Sequence, residues 1–437
     1  MIFNPLLFTA TSDIAGKTRG KAFPLSDLDK RSKRGIGWVP TNVQITCFDS
    51  IADSPFGSLG DLLLIPDMET LVTVDFGDGK PVERFALGDI TSLDGEAWTC
   101  CTRSILKSAL ARLKNAGGVE LFSAFEHEFQ IKDVDGSPGE GFSLGAFSER
   151  RAFGECLMEA LKQGGLIPDT FMKEYGAAQY EVTNAPATGV TSADHAVILR
   201  ELTRLSAKRM GENATFTPIR DPSGVGNGVH IHLSFRDEEG NPKTHDASDP
   251  HGMSALSGSF IAGVLKYLDS IVALTAPSAI SYLRLTPHRW SAAFNNLGYR
   301  DREASLRICP VTSNDPTSIA KQYNFEFRAA DAAASPHLAL AAIIHAGAQG
   351  IEDNLSKPDV TQDDLSLLSE QELTDRGFVR LPQSLPGALE RFEQNEVVRG
   401  WFGEEFANIY LAHKRGELDY LKDMSESEIC AAYESVY

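Results

Sequence analysis

Cysteine is scarce in this chain. Six of its 437 residues are cysteines, at Cys47, Cys100, Cys101, Cys156, Cys309 and Cys430, with no CxxC pair among them. So few in so long a chain point to reduced thiols, and all six are expected to be small buried hydrophobes. Basic charge is also short. Lysine and arginine number 41 against 60 acidic residues, a formal net charge of −19. That balance leaves no surplus to neutralise phosphates, so neither a nucleic acid nor an anionic membrane is expected as a partner. Small anions stay open as substrates, because a local arginine cluster can bind one inside an acidic protein. No run reaches the roughly 18 apolar residues a bilayer requires. The apolar patch at residues 1–8 contains a proline and lacks the basic start of a signal peptide, so a cytoplasmic location is expected. Repeats, low-complexity stretches and a GxxxxGK[ST] phosphate loop are all missing. Ser223-Gly224-Val225-Gly226-Asn227-Gly228 is glycine-rich, but alone it is a weak phosphate signal.

What is present falls into two parts. Residues 42–48, 61–65, 71–76 and 83–87 are short runs of β-branched and apolar residues punctuated by Gly, Pro and Asp, and predict strands. The pattern changes at Thr102. Ile105, Leu106, Ala109, Leu110 and Leu113 recur at helical spacing up to Gly117-Gly118. This places a domain boundary between residues 1–101 and 102–437. Beyond it the spacing predicts strands at 120–131, 229–235 and 323–329. Helices are expected at 150–163, 193–211 and 258–275 and from about His337, with a polar helical end from about Leu355. The fold class is α+β.

The chemistry lies in charge placed where strands should be apolar. In Phe125-Glu126-His127-Glu128-Phe129 the two glutamates share one strand face. His230 and His232 do the same in the next such strand, and Glu326 and Arg328 in a third. If these strands share a face, they line a funnel with carboxylate and imidazole. Close carboxylates repel and are costly to bury, and a divalent cation removes that cost. Oxygen-rich ligand sets with a histidine suit Mg²⁺ or Mn²⁺. Glu174 and Glu181 add two more carboxylates. Arg284, Arg300, Arg302 and Arg307 crowd one stretch, and arginine forks bind carboxylate and phosphate oxygens. Metals with arginines around one funnel point to phosphoryl transfer.

At these motifs the chain resembles the glutamine synthetase family, and within it the γ-glutamylamide ligases. The carriers are Glu126-x-Glu128, Glu174-x₆-Glu181 and Gly228-x-His230-x-His232. The stretch Arg284-Leu285-Thr286-Pro287 follows and runs on to Arg302, Arg307, Lys321 and Glu326-Phe327-Arg328. The resemblance implies a β-grasp N-terminal domain on a catalytic domain with a curved antiparallel sheet and helices. It implies ATP and two or more Mg²⁺ or Mn²⁺ ions per site. Glu128, Glu174 and Glu181 would hold one metal; Glu126, His230 and Glu326 would hold the metal on the ATP phosphates. Arg302 and Arg307 would neutralise phosphate, and His232 and Lys321 would contact nucleotide. Arg284 and Arg328 would grip glutamate, with the Gly226 backbone at its amino group. Family members form homo-oligomeric rings, often stacked as dodecamers, with sites between neighbouring subunits.

The chain departs from the family at two places. The family's ammonium-capturing glutamate is replaced by Trp290, whose indole offers an apolar wall and a π face to an organic amine. Val225 stands where the family has an asparagine, with Asn227 two positions on as a substitute. Asp49 and Asp53 both answer to the family's ammonium-site aspartate. No counterpart of the adenylylated Asn-Leu-Tyr segment is found, so control by that route is not expected. The reading is an ATP-dependent ligase joining glutamate to a small organic amine. The alternatives are an ammonia-using glutamine synthetase and a catalytically silent scaffold.

Overall fold

The computed structural model describes residues 3–437 apart from 133, 135, 137 and 138, so the first two residues of the apolar N-terminal patch lie outside it. The N-terminal part contains β1 (Leu6–Ser12), β2 (Thr18–Pro24), α1 (Leu28–Arg34), β3 (Ile36–Trp38), β4 (Leu62–Pro66), β5 (Val72–Val74) and β6 (Glu83–Thr91). They make a sheet of order β2-β1-β6-β4-β3, with β5 also on β6. Only β1 and β6 run parallel among these pairs.

Residues 42–48 do not form the expected strand. A 3-10 turn at Pro40–Gln44 leads into a loop instead. Side chains take over the backbone's role there. Gln44 is buried and donates to the Asp53 carbonyl at 2.6 Å and the Ile409 carbonyl at 3.3 Å, and Thr46 Oγ1 meets Ser50 Oγ at 2.7 Å. Local bonds of this kind compete with a ladder.

The rest of the chain begins with α2 (Thr102–Gly117) and β7 (Glu120–Ile131), then α3 (Leu144–Gln163), β8 (Pro168–Lys173), β9 (Gln179–Asn184) and β10 (Ala187–Thr188). Next come α4 (Val190–Arg209), β11 (Ala214–Thr215), β12 (Val229–Arg236), α5 (Ala255–Thr275) and α6 (Ser281–Arg284). β13 (Leu297–Tyr299), β14 (Leu306–Ile308), α7 (Pro316–Gln322), β15 (Phe325–Phe327), α8 (Pro336–Glu352) and β16 (Val360–Thr361) complete the sheet region. Five further helices, α9 (Glu370–Asp375), α10 (Leu385–Gln394), α11 (Glu396–Phe402), α12 (Glu404–Leu421) and α13 (Glu426–Val436), close the chain. The sheet order is β16-β13-β14-β15-β12-β7-β9-β8.

The sheet is mixed rather than wholly antiparallel, because β13 pairs in parallel with both β14 and β16. These strands are two or three residues long, and the loop at 300–305 carries the chain back to start β14 beside β13. A loop, not a strand pattern, sets that direction.

α5 is long and apolar enough, by length and composition, to cross a membrane, which amends the expectation that no segment reaches that threshold. In this fold 78% of its apolar window is buried. It packs on α8, and Gly263 and Gly350 let the two backbones touch. A Cβ on Gly263 would sit 2.2 Å from the Ala346 carbonyl oxygen and 2.7 Å from Gly350 Cα.

One buried ion network joins the two parts. Arg103, in the first turn of α2, donates to both oxygens of Asp194 on α4 at 2.9 Å and reaches Asp67 at 2.7 Å and Asp89 at 3.1 Å. His337 of α8 meets Asp194 at 2.9 Å. Burial pushes the Asp194 carboxyl up, but the His337 and Arg103 bonds and charges outweigh it and hold it at about 2, against an ordinary 3.8. The folded value lies below the unfolded one, so this carboxylate stabilises the fold above pH ~4 and loses its effect as pH falls towards about 2. The gap is worth roughly 2 kcal/mol. Unfolding free energies of the wild type and Asp194→Asn are expected to converge over that interval in urea titrations. A difference that stays constant with pH would assign the cost to something other than this charge.

Candidate active site

Strand register assembles the site. Residues directly opposite in an antiparallel pair project to the same face. Glu128 of β7 faces Glu181 of β9, and Glu126 of β7 faces His230 of β12. His232 of β12 faces Glu326 of β15, which in turn faces Arg307 of β14. Five adjacent strands therefore carry their ionisable groups on one surface, while Phe125, His127, Phe129, Ile231 and Phe327 fill the core behind it. Glu174 follows the end of β8, and Ala178 in the loop takes a left-handed turn (φ 46°) that brings β9 back beside it.

Among the described residues, three groups have ligand atoms within 4.8 Å of one another: Glu128–Glu174–Glu181, Glu126–Glu181–His230 and Glu126–His232–Glu326. His230 Nδ1 lies 3.5 Å from both Glu126 Oε2 and Glu326 Oε1. Burial and the neighbouring charges of Glu126, Glu128, Glu174 and Glu326 push the Glu181 carboxyl up to about 9. Burial and Glu128 also raise Glu174. Burial opposes the charge on Glu326 as well, yet His230, Arg328, His232 and Arg307 hold it at about 2. Glu126 is held well below its ordinary range by its histidines despite burial. Buried carboxylates set this close fit divalent cations, because a shared cation turns their mutual repulsion into ligation. The donors are mostly oxygen with at most one imidazole in each group, the chemistry of a Mg²⁺ or Mn²⁺ site.

The arginines cover this surface. Arg307 donates to Glu326 Oε2 at 2.7 Å, and Arg328 bonds the other oxygen of Glu326. Arg328 also donates to the Trp290 carbonyl at 3.0 Å and, through Nε, to the Arg302 carbonyl at 3.1 Å. Buried Arg284 donates to Ser291 Oγ at 2.9 Å and to the Ala330 carbonyl. The segment carrying Trp290 is thus pinned to both Arg284 and Arg328. Arg289 ties it to the glycine-rich loop through the Gly224 carbonyl at 2.9 Å, and Glu303 accepts from the Trp290 N–H at 2.6 Å. The Trp290 side chain is 66% exposed, on a residue with φ 51°. Arg302 is exposed, and its charge reaches Glu174. Lys321 is exposed in the last turn of α7, just ahead of β15.

Gly226 is confined by its neighbours. Gln179 Nε2 donates to its carbonyl at 2.8 Å, and a Cβ there would lie 2.6 Å from Arg284 Cγ and 3.0 Å from the Pro218 carbonyl oxygen. Gly226→Ala is expected to displace Arg284. Overpacking of this kind costs about 1–3 kcal/mol of stability, so the thermal transition should fall. An unchanged thermal transition would show that Arg284 yields without cost.

Asn227 does not substitute for the family's asparagine. Its side chain is buried and committed, donating to the Thr217 carbonyl at 2.8 Å and Gln130 at 3.2 Å and accepting from Gln179 at 2.9 Å. Asp49 is exposed and bonded to Arg19 at 3.0 Å, while Asp53 lends only its carbonyl to Gln44. Five cysteines are buried and Cys156 is half-buried. Cys309 comes just past the end of β14, two residues after Arg307. Its Sγ lies 3.7 Å from His232 Nδ1 and 3.8 Å from Glu326 Oε2.

Known proteins are similar to this chain. The family model of the glutamine synthetase N-terminal domain matches residues 5–98, and that of the glutamine synthetase catalytic domain matches residues 99–432. Gamma-glutamylpolyamine synthetase GlnA3 of Streptomyces coelicolor is 32% identical, covering 97% of this chain and 92% of that protein. Glutamine synthetase of Pyrococcus furiosus is 29% identical, covering 94% and 90%. Among solved structures, a novel glutamine synthase homolog superposes with a TM-score of 0.91 at 41% identity, covering 100% and 99%. The ADP complex of GmaS in its first conformation gives a TM-score of 0.81 at 25% identity, covering 97% and 95%. Fold, carboxylate–imidazole surface and relatives together define an ATP-dependent carbon–nitrogen ligase that works with divalent metal and joins a carboxylate to an amine or ammonia. The chain belongs to the glutamine synthetase family.

Proposed function

We propose that this ligase joins the γ-carboxylate of glutamate to an organic primary amine. The observation that carries this reading is Trp290, an exposed indole where the family's ammonium-binding glutamate belongs. A carboxylate favours a small hydrated cation, whereas an indole favours alkyl or aryl surface and offers a cation only its π face. The similarity to a gamma-glutamylpolyamine synthetase supports an organic amine as acceptor. The division of labour follows the proposed boundary, with residues 102–437 as the catalytic domain.

The reaction has two steps. A γ-carboxylate oxygen attacks the terminal phosphorus of ATP, giving γ-glutamyl phosphate and ADP. The amine nitrogen then attacks the acyl carbon, phosphate leaves with the former C–O bonding pair, and the nitrogen sheds a proton. Arg284 and Arg328 hold the glutamate, with Arg284 placed by Gly226 and Ser291. Arg302 and Arg307 face the phosphates, and His232 and Lys321 complete the nucleotide contacts. Two divalent cations, one on Glu128, Glu174 and Glu181 and one on Glu126, His230 and Glu326, would supply charge neutralisation at the phosphate oxygens. Both steps are mainly matters of position and charge.

The test is ADP release with glutamate across a panel of amines. Hydrophobic primary amines are expected to outcompete ammonia, with preference rising with alkyl size until the pocket is full. Trp290→Glu should lower the ratio of kcat/KM for the preferred amine over ammonia by about 10–200-fold, the scale of an apolar contact worth 1–3 kcal/mol. Ammonia used by the wild type as efficiently as every organic amine would instead make the protein a glutamine synthetase.

A further inference from the structure

Packing does not hold the Trp290 indole in place. It is 66% exposed, and a cavity of about 250 Å³ borders its segment along Pro287, His288 and Glu303. His288 and Trp290 both adopt left-handed backbone, at φ 62° and φ 51°. Bulky side chains rarely take that conformation, and it persists where surrounding contacts fix it. We propose that Glu303 is the positioning residue that fixes this segment and, through Trp290, sets the amine preference of the site. The second half of this proposal rests on the acceptor role proposed above for Trp290.

The contacts come as a pair. Glu303 Oε2 accepts from the His288 N–H at 2.8 Å, and Oε1 accepts from the Trp290 N–H at 2.6 Å. Two left-handed residues, one position apart, therefore give their N–H groups to a single carboxylate. Hydrogen bonds to an ionised group are roughly twice as strong as neutral ones. The Trp290 carbonyl accepts from Arg328 at 3.0 Å, so both polar groups of its backbone are tied to charged side chains. The His288 ring adds a bond to Asp364 at 2.9 Å, but that pair is exposed and water weakens it. Glu303 is itself braced. Its N–H donates to Asp301 Oδ1 at 2.9 Å, and the next residue, Ala304, is buried. Its other neighbour is Arg302, whose carbonyl accepts from Arg328 Nε at 3.1 Å. Arg328 thus joins the loop of Glu303 to the segment of Trp290 a second time. Glutamine at position 303 would keep the shape but offer one oxygen and one NH₂ group. A donor would then face a donor, and one of the two bonds would be lost.

The experiment labels the full-length protein with 5-fluorotryptophan and follows it by ¹⁹F NMR. Loss of one resonance in Trp290→Phe identifies Trp290. In Glu303→Gln that resonance should move, while those of Trp38, Trp98 and Trp401 stay in place and report a retained fold. Amide hydrogen exchange of the wild type needs no variant, and it should find the His288 and Trp290 N–H groups protected. With butylamine and ammonium as acceptors, Glu303→Gln should raise KM for butylamine about tenfold, the scale of one lost bond to a charged group. The ratio of kcat/KM for butylamine over ammonium should fall with it, and KM for ATP should hold. The proposal is overturned by a Trp290 resonance that stays in place, by unprotected amides, or by a rise in KM for ATP in place of that for butylamine. A butylamine-to-ammonium ratio unchanged in Trp290→Glu would overturn the acceptor role of Trp290 and the selectivity that rests on it. A moved Trp290 resonance in Glu303→Gln would still uphold the positioning by Glu303.

Discussion

Glu128→Ala and Glu126→Ala are each expected to abolish glutamate-dependent ADP release while the protein stays folded. The register that places Glu128 opposite Glu181 and Glu126 opposite His230 makes each of them a member of a three-donor group. Removing one carboxylate takes away an anionic ligand and leaves too few donors to hold a cation against water. It also removes a charge that pushes Glu181 up, so the metal-free protein gains from relief of repulsion even as it loses metal. Glu128 has a second role, because its Oε2 accepts from the Gly228 N–H at 2.6 Å. Glu128→Gln keeps an acceptor there and separates that bond, worth about 1 kcal/mol, from ligation. Activity, Mn²⁺ uptake by calorimetry and the thermal transition should be read together. Wild-type turnover at limiting metal in both alanine variants would remove these residues from the metal site.

Arg307→Ala is the second large effect. Its guanidinium is buried against Glu326 at 2.7 Å, in the set proposed to meet the phosphates. A preorganised cation in such a place acts chiefly on the charge that develops during transfer, and losing one such donor costs about 10²–10³ in kcat. Glu326 keeps Arg328 as a partner in this variant, so its charge stays compensated and the fold should hold. Rapid-quench measurement of the first turnover should show the slowed step, and calorimetry should show ATP affinity changed far less. A loss confined to ATP affinity would make Arg307 a binding residue only.

Alternating patterns were legible along the chain because they are local. A two-residue period tells which side chains share a face whatever the strand later pairs with, and this is why Glu126/Glu128 and His230/His232 stood out. Helix periodicity and paired glycines marked α2 for the same reason. β13 and β14 are three residues long and carry no alternating charged pair of the kind that marked Phe325–Phe327, so they and their parallel pairing were beyond reach. Asn227 looked like a substrate residue because its bonds to Thr217, Gln130 and Gln179 come from other segments. Gln44 misled in the same way, since its partners Asp53 and Ile409 lie on separate loops and helices.

By itself the sequence determined the acidic balance of the protein, the residues on each strand face and the family. Only the tertiary structure decided which faces meet. Register between β7, β12, β15 and β14 joins residues far apart in the chain, and it alone sets Glu326 between His232, Arg307 and Arg328. It also decided that the Trp290 segment hangs from Arg284 and Arg328 and that Cys309 turns towards the site. The reason is physical: a strand's alternation is a property of its own backbone, whereas its register is chosen by burial and hydrogen bonding across the whole sheet.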